Sequence, residues 1–420
     1  MQRLRALRFS LPQAGYYYGR GVRREVKEFL EGSRAVAEAV KLCKPGVISA
    51  YPITPQTHIV EELAQMVANG QLPAQFVNVE SEHSAASVVL GAVATGVRAF
   101  TATSSQGLLY MGEVIFNIAG LRLPLVLTCA NRSISAPINI WNDLQDSISL
   151  RDAGWIQLYA ENLQESVDFH LMGYRIGEDK SIMLPVMVCM DGFILTHGME
   201  PVDIPEQEKV DKFLPAYKPL YKLDPAEPLS MGLLADPDYY LETRFAIQET
   251  LKDVLNFLPK VCLEFKSVFG RDYKDGLVEE YQTKDAEKLI VAMGSVCGTI
   301  KEVVDELRKK GKKVGLLKII SYRPFPYARV YEALKNVAKV AVLDKAISLG
   351  AYAPLATEIK AAFFGKKKAP GIISSFVAGL GGRDITLDSI KEIFRKLNQK
   401  EVLQEFIDLK PELLSEEYGG

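Results

Sequence analysis

GVISAYPITPQ, residues 46–56, is the stretch that decides the fold, because a short apolar strand runs directly into a turn there. VESEHSAASVVLGA at 79–92 and ANRSISAPINIWNDLQD at 130–146 repeat this arrangement. The three stretches place Thr54, Glu82 and Arg132 where an apolar strand gives way to a turn or helix. Open α/β sheets bind ligands at such points. The sequence therefore predicts a ligand site along one sheet edge.

Strand-like and helical segments alternate from residue 26 onward, which is typical of a doubly wound parallel sheet. Thr54 and Pro55 read as a helix N-cap followed by proline at the first helical position. The predicted helices and strands of this first unit are helices over 31–42, 59–67, 81–96, 105–120 and 164–173, and strands over 46–50, 75–79, 98–103, 124–130 and 185–190.

Composition shifts divide the chain into four parts. An N-terminal arm covers 1–24, an α/β domain 25–200, a proline-rich linker with a helical segment 201–284, and a smaller α/β domain 285–420. The arm has six arginines and no acid before Glu25, so we expect a docking arm or a simple extension, with a targeting peptide as the alternative.

Composition is that of an ordinary soluble globular protein, with 48% hydrophobic and 24% charged residues among 420. A net charge of −2 gives no reason to expect nucleic acid as a partner. No apolar run approaches the roughly 20 residues that span a bilayer, so no membrane span is expected. The five cysteines are scattered without a CxxC pair, which predicts buried thiols in a reducing cytoplasm and no zinc or iron–sulfur cluster on this chain.

Each marked residue also has a purely structural interpretation. Thr54 could be only a helix cap, Glu82 a first-turn acid favoured by the helix dipole, and Arg132 half of an ion pair. The same holds for TSSQG at 103–107, where Ser104, Ser105 and Gly107 could cap a helix, and for Asp143 and Asp146 as caps or solvated acids. Convergence of several candidates on one sheet edge favours a functional site.

The ordered motifs YPITP, VESEHSA, TSSQGLLYMGEVIFNIAGLRLPLV, ANRSISAPINIWNDLQD, LQESVDF and DGF carry a family resemblance. From about 24 to 397 the chain resembles the α subunit of 2-oxoacid:ferredoxin oxidoreductases, particularly the pyruvate type. The resemblance implies a thiamine-diphosphate-binding, pyrimidine-type domain followed by a transketolase C-terminal-like domain.

The resemblance also implies roles for individual residues. Glu82 matches the glutamate that bonds N1′ of the aminopyrimidine and favours the tautomer that activates the cofactor. Thr54 matches a threonine beside the cofactor and the oxoacid, and Arg132 matches the arginine that pairs with the substrate carboxylate. The remaining implied cofactor contacts are Pro52, Ile53, Ser105 and Gln106.

The usual metal-binding segment of this cofactor class, GDG followed by an asparagine, is not found in KDGL at 274 or MDGF at 190. We therefore expect this chain to supply only the pyrimidine half of the site. A diphosphate-binding β subunit would hold Mg²⁺, and a γ subunit and a ferredoxin-like subunit with [4Fe-4S] clusters would complete a cytoplasmic complex. The implied reaction is CoA-dependent oxidative decarboxylation of pyruvate or a related 2-oxoacid, with electrons passing to ferredoxin.

Several alternatives stay open at the sequence level. Trp141 could be a core aromatic, or it could enlarge the pocket for phenylglyoxylate or 2-oxoisovalerate, with another acceptor such as NAD. A non-catalytic scaffold subunit is a rival, and so is a nicotinamide-binding dehydrogenase built on GSVCGT at 294–299. RPFP at 323–326 and GLGGRD at 379–384 are expected subunit contacts.

Overall fold

The computed structural model describes residues 27–414, so the predicted arm over 1–24 lies outside the described residues. The strands are β1 Glu28–Glu31, β2 Val47–Ser49, β3 Gln75–Val77, β4 Ala99–Thr103, β5 Val126–Asn131, β6 Ile156–Tyr159, β7 Val186–Asp191, β8 Met199–Val202, β9 Val278–Tyr281, β10 Lys288–Ala292, β11 Val314–Ile319, β12 Ser321–Arg323, β13 Lys339–Asp344, β14 Ile372–Val377 and β15 Glu405–Phe406. The α-helices are α1 Gly32–Cys43, α2 Thr57–Ala68, α3 Glu82–Ala94, α4 Ser105–Tyr110, α5 Gly112–Gly120, α6 Gln145–Ser149, α7 Leu163–Gly177, α8 Gln207–Phe213, α9 Pro237–Phe269, α10 Val296–Lys309, α11 Tyr327–Leu334, α12 Pro354–Ala361 and α13 Leu387–Lys396.

The N-terminal sheet has seven strands in the order β12-β6-β7-β5-β4-β2-β3. All neighbours are parallel except β12, which pairs antiparallel with β6. The chain passes from β2 to β3 on one side and then to β4 on the other side of β2. This reversal creates a topological switch point, where the carboxyl ends of β2 and β4 open a crevice.

The C-terminal sheet has six strands in the order β15-β14-β13-β10-β11-β9. It is parallel apart from the edge strand β9, which runs antiparallel to β11. Both sheets therefore confirm the predicted α/β class. Each also has an antiparallel edge strand, which the hydrophobic periodicity of the sequence did not indicate.

Edge strands tie the two sheets together across the predicted domain limits. β9 lies inside the predicted linker 201–284 and joins the C-terminal sheet, whereas β12 lies beyond 285 and joins the N-terminal sheet. The RPFP motif begins at the end of β12, because Arg323 is the last residue of that strand. Phe325 of the motif is buried within this chain. The contacts of RPFP described here are thus within one chain.

A buried ion network also connects the two units. Lys318 on β11 lies 2.7 Å from Glu161, 2.6 Å from Glu165 and 2.6 Å from Glu279. Its ammonium group is fully buried, so three carboxylates around it offset part of the large desolvation cost. Coulombic attraction to these carboxylates raises the pKa of Lys318 despite desolvation, which keeps the side chain charged.

Helix α2 corrects one prediction. Thr54 is not its N-cap, because the helix begins at Thr57 with Gln56 in the cap position. The Gln56 N–H donates to Ile53 O at 2.8 Å, and Gln56 Nε2 donates to Ala102 O at 2.6 Å. These bonds close a turn over 53–56, so Thr54 lies in the turn, ahead of the helix.

Candidate functional site

The crevice at the switch point is bordered by the loops that follow β2, β4 and β5 and by the start of α3. Arg132 Nη1 donates to Thr54 O at 2.8 Å, which joins the β5 and β2 loops. Ser105 Oγ donates to Ser133 O and joins the β4 and β5 loops. Three of the sequence-predicted site residues, Thr54, Ser105 and Arg132, are thereby brought to one edge of the sheet.

Glu82 occupies the first helical position of α3. Ser81 caps the helix, because its side-chain oxygen accepts from Ser84 N at 3.2 Å. The Glu82 residue is 9% exposed, and within residues 27–414 its carboxylate has no hydrogen bond or ion pair. A carboxylate that accepts no hydrogen bond from its own chain keeps both oxygens available, so this side chain is well suited to a ligand that can donate a hydrogen bond.

Gly107 gives the Glu82 carboxylate its space. A Cβ at this position would lie 2.7 Å from Glu82 Oε1 and 2.5 Å from Thr103 Oγ1, both closer than atoms approach in real structures. Thr103 Oγ1 is buried without a hydrogen-bond partner among the described residues, and so is Gln106 Nε2. Buried polar atoms normally have a hydrogen-bond partner, and the ring nitrogens and amino group of an aminopyrimidine are of the kind that these two atoms lack.

The YPITP turn forms the other wall. Thr54 and Pro52 are exposed and Ile53 is half-buried. Gln56 fixes this turn, because its Oε1 also accepts from Ile53 N at 3.2 Å. The turn therefore presents an exposed threonine hydroxyl beside the backbone carbonyl that Arg132 contacts.

Arg132 is 6% exposed, and two backbone carbonyls orient its guanidinium. Nη1 donates to Thr54 O at 2.8 Å, and Nε donates to Asn139 O at 3.0 Å. Burial lowers the pKa of Arg132, while the nearby Asp146 carboxylate acts in the opposite direction. Arginine nevertheless remains a cation in proteins. Neither carbonyl contacts Nη2, so this nitrogen is available to donate to a carboxylate.

Asp146 is a buried organiser that the sequence analysis missed by reading it as a cap or solvated acid. Its Oδ2 accepts from Ser105 N at 2.9 Å and from Arg132 N at 3.0 Å. Its Oδ1 accepts from Asn131 Nδ2 at 2.8 Å and Ser147 N at 2.7 Å. Asp146 thus links the β4 and β5 loops, and Ser105 adopts a left-handed φ of 50° at this junction.

Trp141 is not a core residue, because 51% of it is exposed. Its ring packs against Phe193 with centroids 4.5 Å apart. The two rings line a cleft of about 730 Å³ between the β5 loop and the C-terminal unit. Loop GLGGRD borders the same cleft, where Gly382 N donates to Asn142 O at 2.7 Å.

GSVCGT makes a structural contact at its second residue. Ser295 precedes α10, and its N–H donates to Asp191 Oδ2 at 3.0 Å, so this loop faces the end of β7.

Two groups of side chains in residues 27–414 have ligand atoms close enough to hold a metal. Glu161, Glu165 and Glu279 form one, but Lys318 and Lys301 already form ion pairs with its carboxylates. Glu31, His58 and His197 form the other, with His58 Nδ1 2.7 Å from Glu31 Oε1. Neither group includes a residue of the crevice described above.

No helix within residues 27–414 combines the length and the apolar character that a bilayer crossing requires.

Comparisons with known proteins point to one family. Residues 38–261 match the family model "pyruvate flavodoxin/ferredoxin oxidoreductase, thiamine diP-bdg", and residues 286–390 match "pyruvate:ferredoxin oxidoreductase core domain II". The chain is 52% identical over 387 residues to the pyruvate synthase subunit PorA of Methanothermobacter thermautotrophicus, covering 92% of this chain and 99% of the relative. It is 43% identical to the ketoisovalerate oxidoreductase subunit VorA of Pyrococcus abyssi, with 88% and 92% covered.

Solved structures show the same fold at low sequence identity. A 2-oxoglutarate:ferredoxin oxidoreductase from Magnetococcus marinus has a TM-score of 0.69 at 18% identity, covering 89% of this chain and 66% of that one. A split-gene transketolase has a TM-score of 0.52 at 12% identity, covering 88% of this chain and 98% of that one.

The fold and the match to this family model together define a thiamine-diphosphate-binding α/β protein. The chain belongs to the 2-oxoacid:ferredoxin oxidoreductase family, as an α subunit of a multi-chain enzyme. The identification made from the motifs is thereby confirmed.

Proposed function

We propose that this chain supplies the aminopyrimidine half of a thiamine diphosphate site that oxidises pyruvate. The Glu82 side chain, largely buried against Gly107 and without a partner for its carboxylate among the described residues, is the observation that carries the proposal. The relatives that share about half of its residues are pyruvate synthase subunits. The reaction converts a 2-oxoacid and coenzyme A into acyl-CoA and CO₂, and two electrons leave to iron–sulfur clusters and then ferredoxin.

Bound thiamine diphosphate would supply the nucleophilic carbon that attacks the 2-oxo carbonyl and would accept the electron pair released with CO₂. Glu82 would hold a proton against N1′ of the pyrimidine, the role of a positioned acid and base. Gln106 Nε2 and the backbone of Pro52 and Ile53 would border the ring, and Ser105 would fix the loop between them.

Arg132 and Thr54 would bind the substrate. The free Nη2 edge of Arg132 suits a carboxylate, and a charge-assisted bond of this kind contributes about 1.5–3 kcal/mol. Since the Arg132 guanidinium also bonds Thr54 O, the substrate carboxylate and the threonine hydroxyl would meet at one place. This arrangement would hold the 2-oxo carbonyl in a fixed orientation for attack.

The rest of the site would come from partner chains. We propose that a diphosphate-binding β subunit carries Mg²⁺ and that a γ subunit and a ferredoxin-like subunit with [4Fe-4S] clusters complete the assembly. The five cysteines of this chain are free and buried, which agrees with such a division of cofactors and with the proposed cytoplasmic location.

The test is to purify the chain with its partners and assay CoA-dependent reduction of a viologen dye with a panel of 2-oxoacids. We expect pyruvate to be oxidised, and Glu82→Gln to lower kcat about 100-fold or more, because a proton donor and acceptor is lost. Thiamine diphosphate content and subunit composition should not change. Glu113→Gln is the matched control, since that side chain is 81% exposed and should leave the rate intact.

Other outcomes would contradict the proposal in different ways. An active Glu82→Gln complex would assign the chain to a scaffold, and a complex holding nicotinamide without thiamine diphosphate would favour a dehydrogenase. A preference for 2-oxoisovalerate over pyruvate would change only the proposed substrate. The 43% identity to VorA makes this oxoacid the specific alternative to test.

A further inference from the structure

The loop that carries Arg132 is held from the outside by the C-terminal unit. Asn139 Nδ2 donates to Gly381 O at 3.1 Å, and Gly381 N donates to Asp143 Oδ2 at 3.1 Å. The approach is close, because a Cβ on Gly381 would lie 2.7 Å from Asn139 Nδ2. Both ends of the loop segment 139–143 are therefore fixed by a loop about 240 residues further along the chain.

Lys345 lies at the centre of this contact. It follows β13 directly and is 5% exposed. Its Nζ donates to Asp191 Oδ2 at 2.8 Å and to Asn142 Oδ1, and its backbone oxygen accepts from Leu144 N at 2.9 Å. One residue of the C-terminal unit thus contacts both the end of β7 and the loop after β5.

Asn142 transmits this contact to Arg132. Its Oδ1 faces the Lys345 ammonium, so its Nδ2 must face the other way, and it donates to Asn131 O at 3.1 Å and Asp191 Oδ1 at 3.3 Å. Asn131 directly precedes Arg132. The guanidinium is held at its Nε by Asn139 O, within the same loop. Lys345 therefore fixes the orientation of the Asn142 amide. In this orientation the amide nitrogen bonds the backbone oxygen of Asn131, next to Arg132.

We propose that Lys345 is a positioning residue for 2-oxoacid binding, acting through Asn142 on Arg132. The inference deepens the proposed function and rests on it. Lys318 offers a contrast, because its three carboxylate partners belong to β9 and to the segment around the start of α7, outside the loop 132–142. An interdomain lysine need not touch the loop that carries Arg132, but Lys345 does.

Kinetics of the assembled complex test this inference. We expect Lys345→Met and Asn142→Ala each to raise KM for pyruvate about 10-fold, with a smaller effect on kcat and none on KM for coenzyme A or on thiamine diphosphate content. Asn142→Ala leaves the Lys345–Asp191 ion pair in place, so it tests the loop without a buried unpaired charge. The double variant should be little worse than either single one, because both act on one contact.

The matched control is Lys301→Met, which removes another interdomain lysine, paired with Glu161 and Glu279, and should leave KM for pyruvate unchanged. An unchanged pyruvate KM in Asn142→Ala, or additive effects in the double variant, would overturn the inference while the proposed function stands. If Lys345→Met fails to assemble, Asn142→Ala alone decides. A wild-type complex that oxidises no 2-oxoacid would instead refute the proposed function.

Discussion

Gly107 has no side chain, and the Glu82 carboxylate occupies the space beside it. We predict that Gly107→Ala weakens thiamine diphosphate binding at least 10-fold, because the new methyl group would displace Glu82 or Thr103. Titration of the apo complex with the cofactor, followed by the recovery of activity, measures the change.

Gly112→Ala is the control for this prediction, since a Cβ there meets nothing within 4 Å and alanine favours the helix. Equal cofactor affinity in the two variants would show that the gap at Gly107 is not part of the site.

Residue patterns predicted the positions of Glu82 and Arg132 but not all of their surroundings. The sequence identified both because each follows an apolar strand, and both lie at the crevice. Asp146 was missed, because its importance comes from accepting hydrogen bonds from Ser105 and Arg132, residues 41 and 14 positions away. An aspartate in the first turn of a short helix carries no local signal for such contacts.

Among the elements, helix α9 shows which face of a helix becomes buried. Its buried residues include Leu258, Phe265 and Phe269, which face the N-terminal unit. Phe265 packs against Phe213 of α8 with ring centroids 5.3 Å apart in an edge-on arrangement. The N-terminal turns of α9 are exposed, as at Phe245.

Phe265→Ala should therefore destabilise the chain by about 3–5 kcal/mol, because it removes a fully buried ring and leaves a cavity. Urea unfolding of the purified chain, followed by circular dichroism, gives the free energy of unfolding. Phe245→Ala on the same helix is the control and should change it by less than about 0.5 kcal/mol, as 62% of Phe245 is exposed. Equal losses in both variants would contradict the packing described for α9.

Long elements were predicted better than short ones. The helix predicted over 81–96 is found as Glu82–Ala94, and the helical segment predicted within the linker 201–284 is found as Pro237–Phe269. The predicted helix 105–120 is divided at Met111 into two. Strands β9 and β12 were not predicted, because a run of three or four residues has no measurable period and pairs through contacts with distant strands.

At the scale of the whole molecule, buried ionisable groups make stability depend on pH. Burial raises the pKa of Asp344 to about 7, although Leu355 N at 2.8 Å and Ala356 N at 3.1 Å act in the opposite direction. An acid whose pKa is raised by folding holds its proton longer in the native state. Its contribution to stability therefore falls as the pH rises from about 4 to about 7.

We predict that Asp344→Asn flattens this dependence. Between pH 5 and pH 8 the wild-type chain should lose on the order of 2 kcal/mol more of its unfolding free energy than the variant. Urea unfolding at the two pH values measures the difference, and all other titrating groups are common to both proteins. Parallel curves would show that Asp344 stays ionised in the folded chain over this range.

The sequence by itself determined the α/β class and the family, and it put forward Thr54, Glu82 and Arg132 as candidate site residues, because motifs and strand ends are local features of the chain. Only the tertiary structure decided that Gly107 makes room for Glu82, that Asp146 joins two loops, and that Lys345 contacts the loop that carries Arg132. These contacts join residues far apart in the chain, and their energies depend on burial and distance, which a linear pattern does not contain.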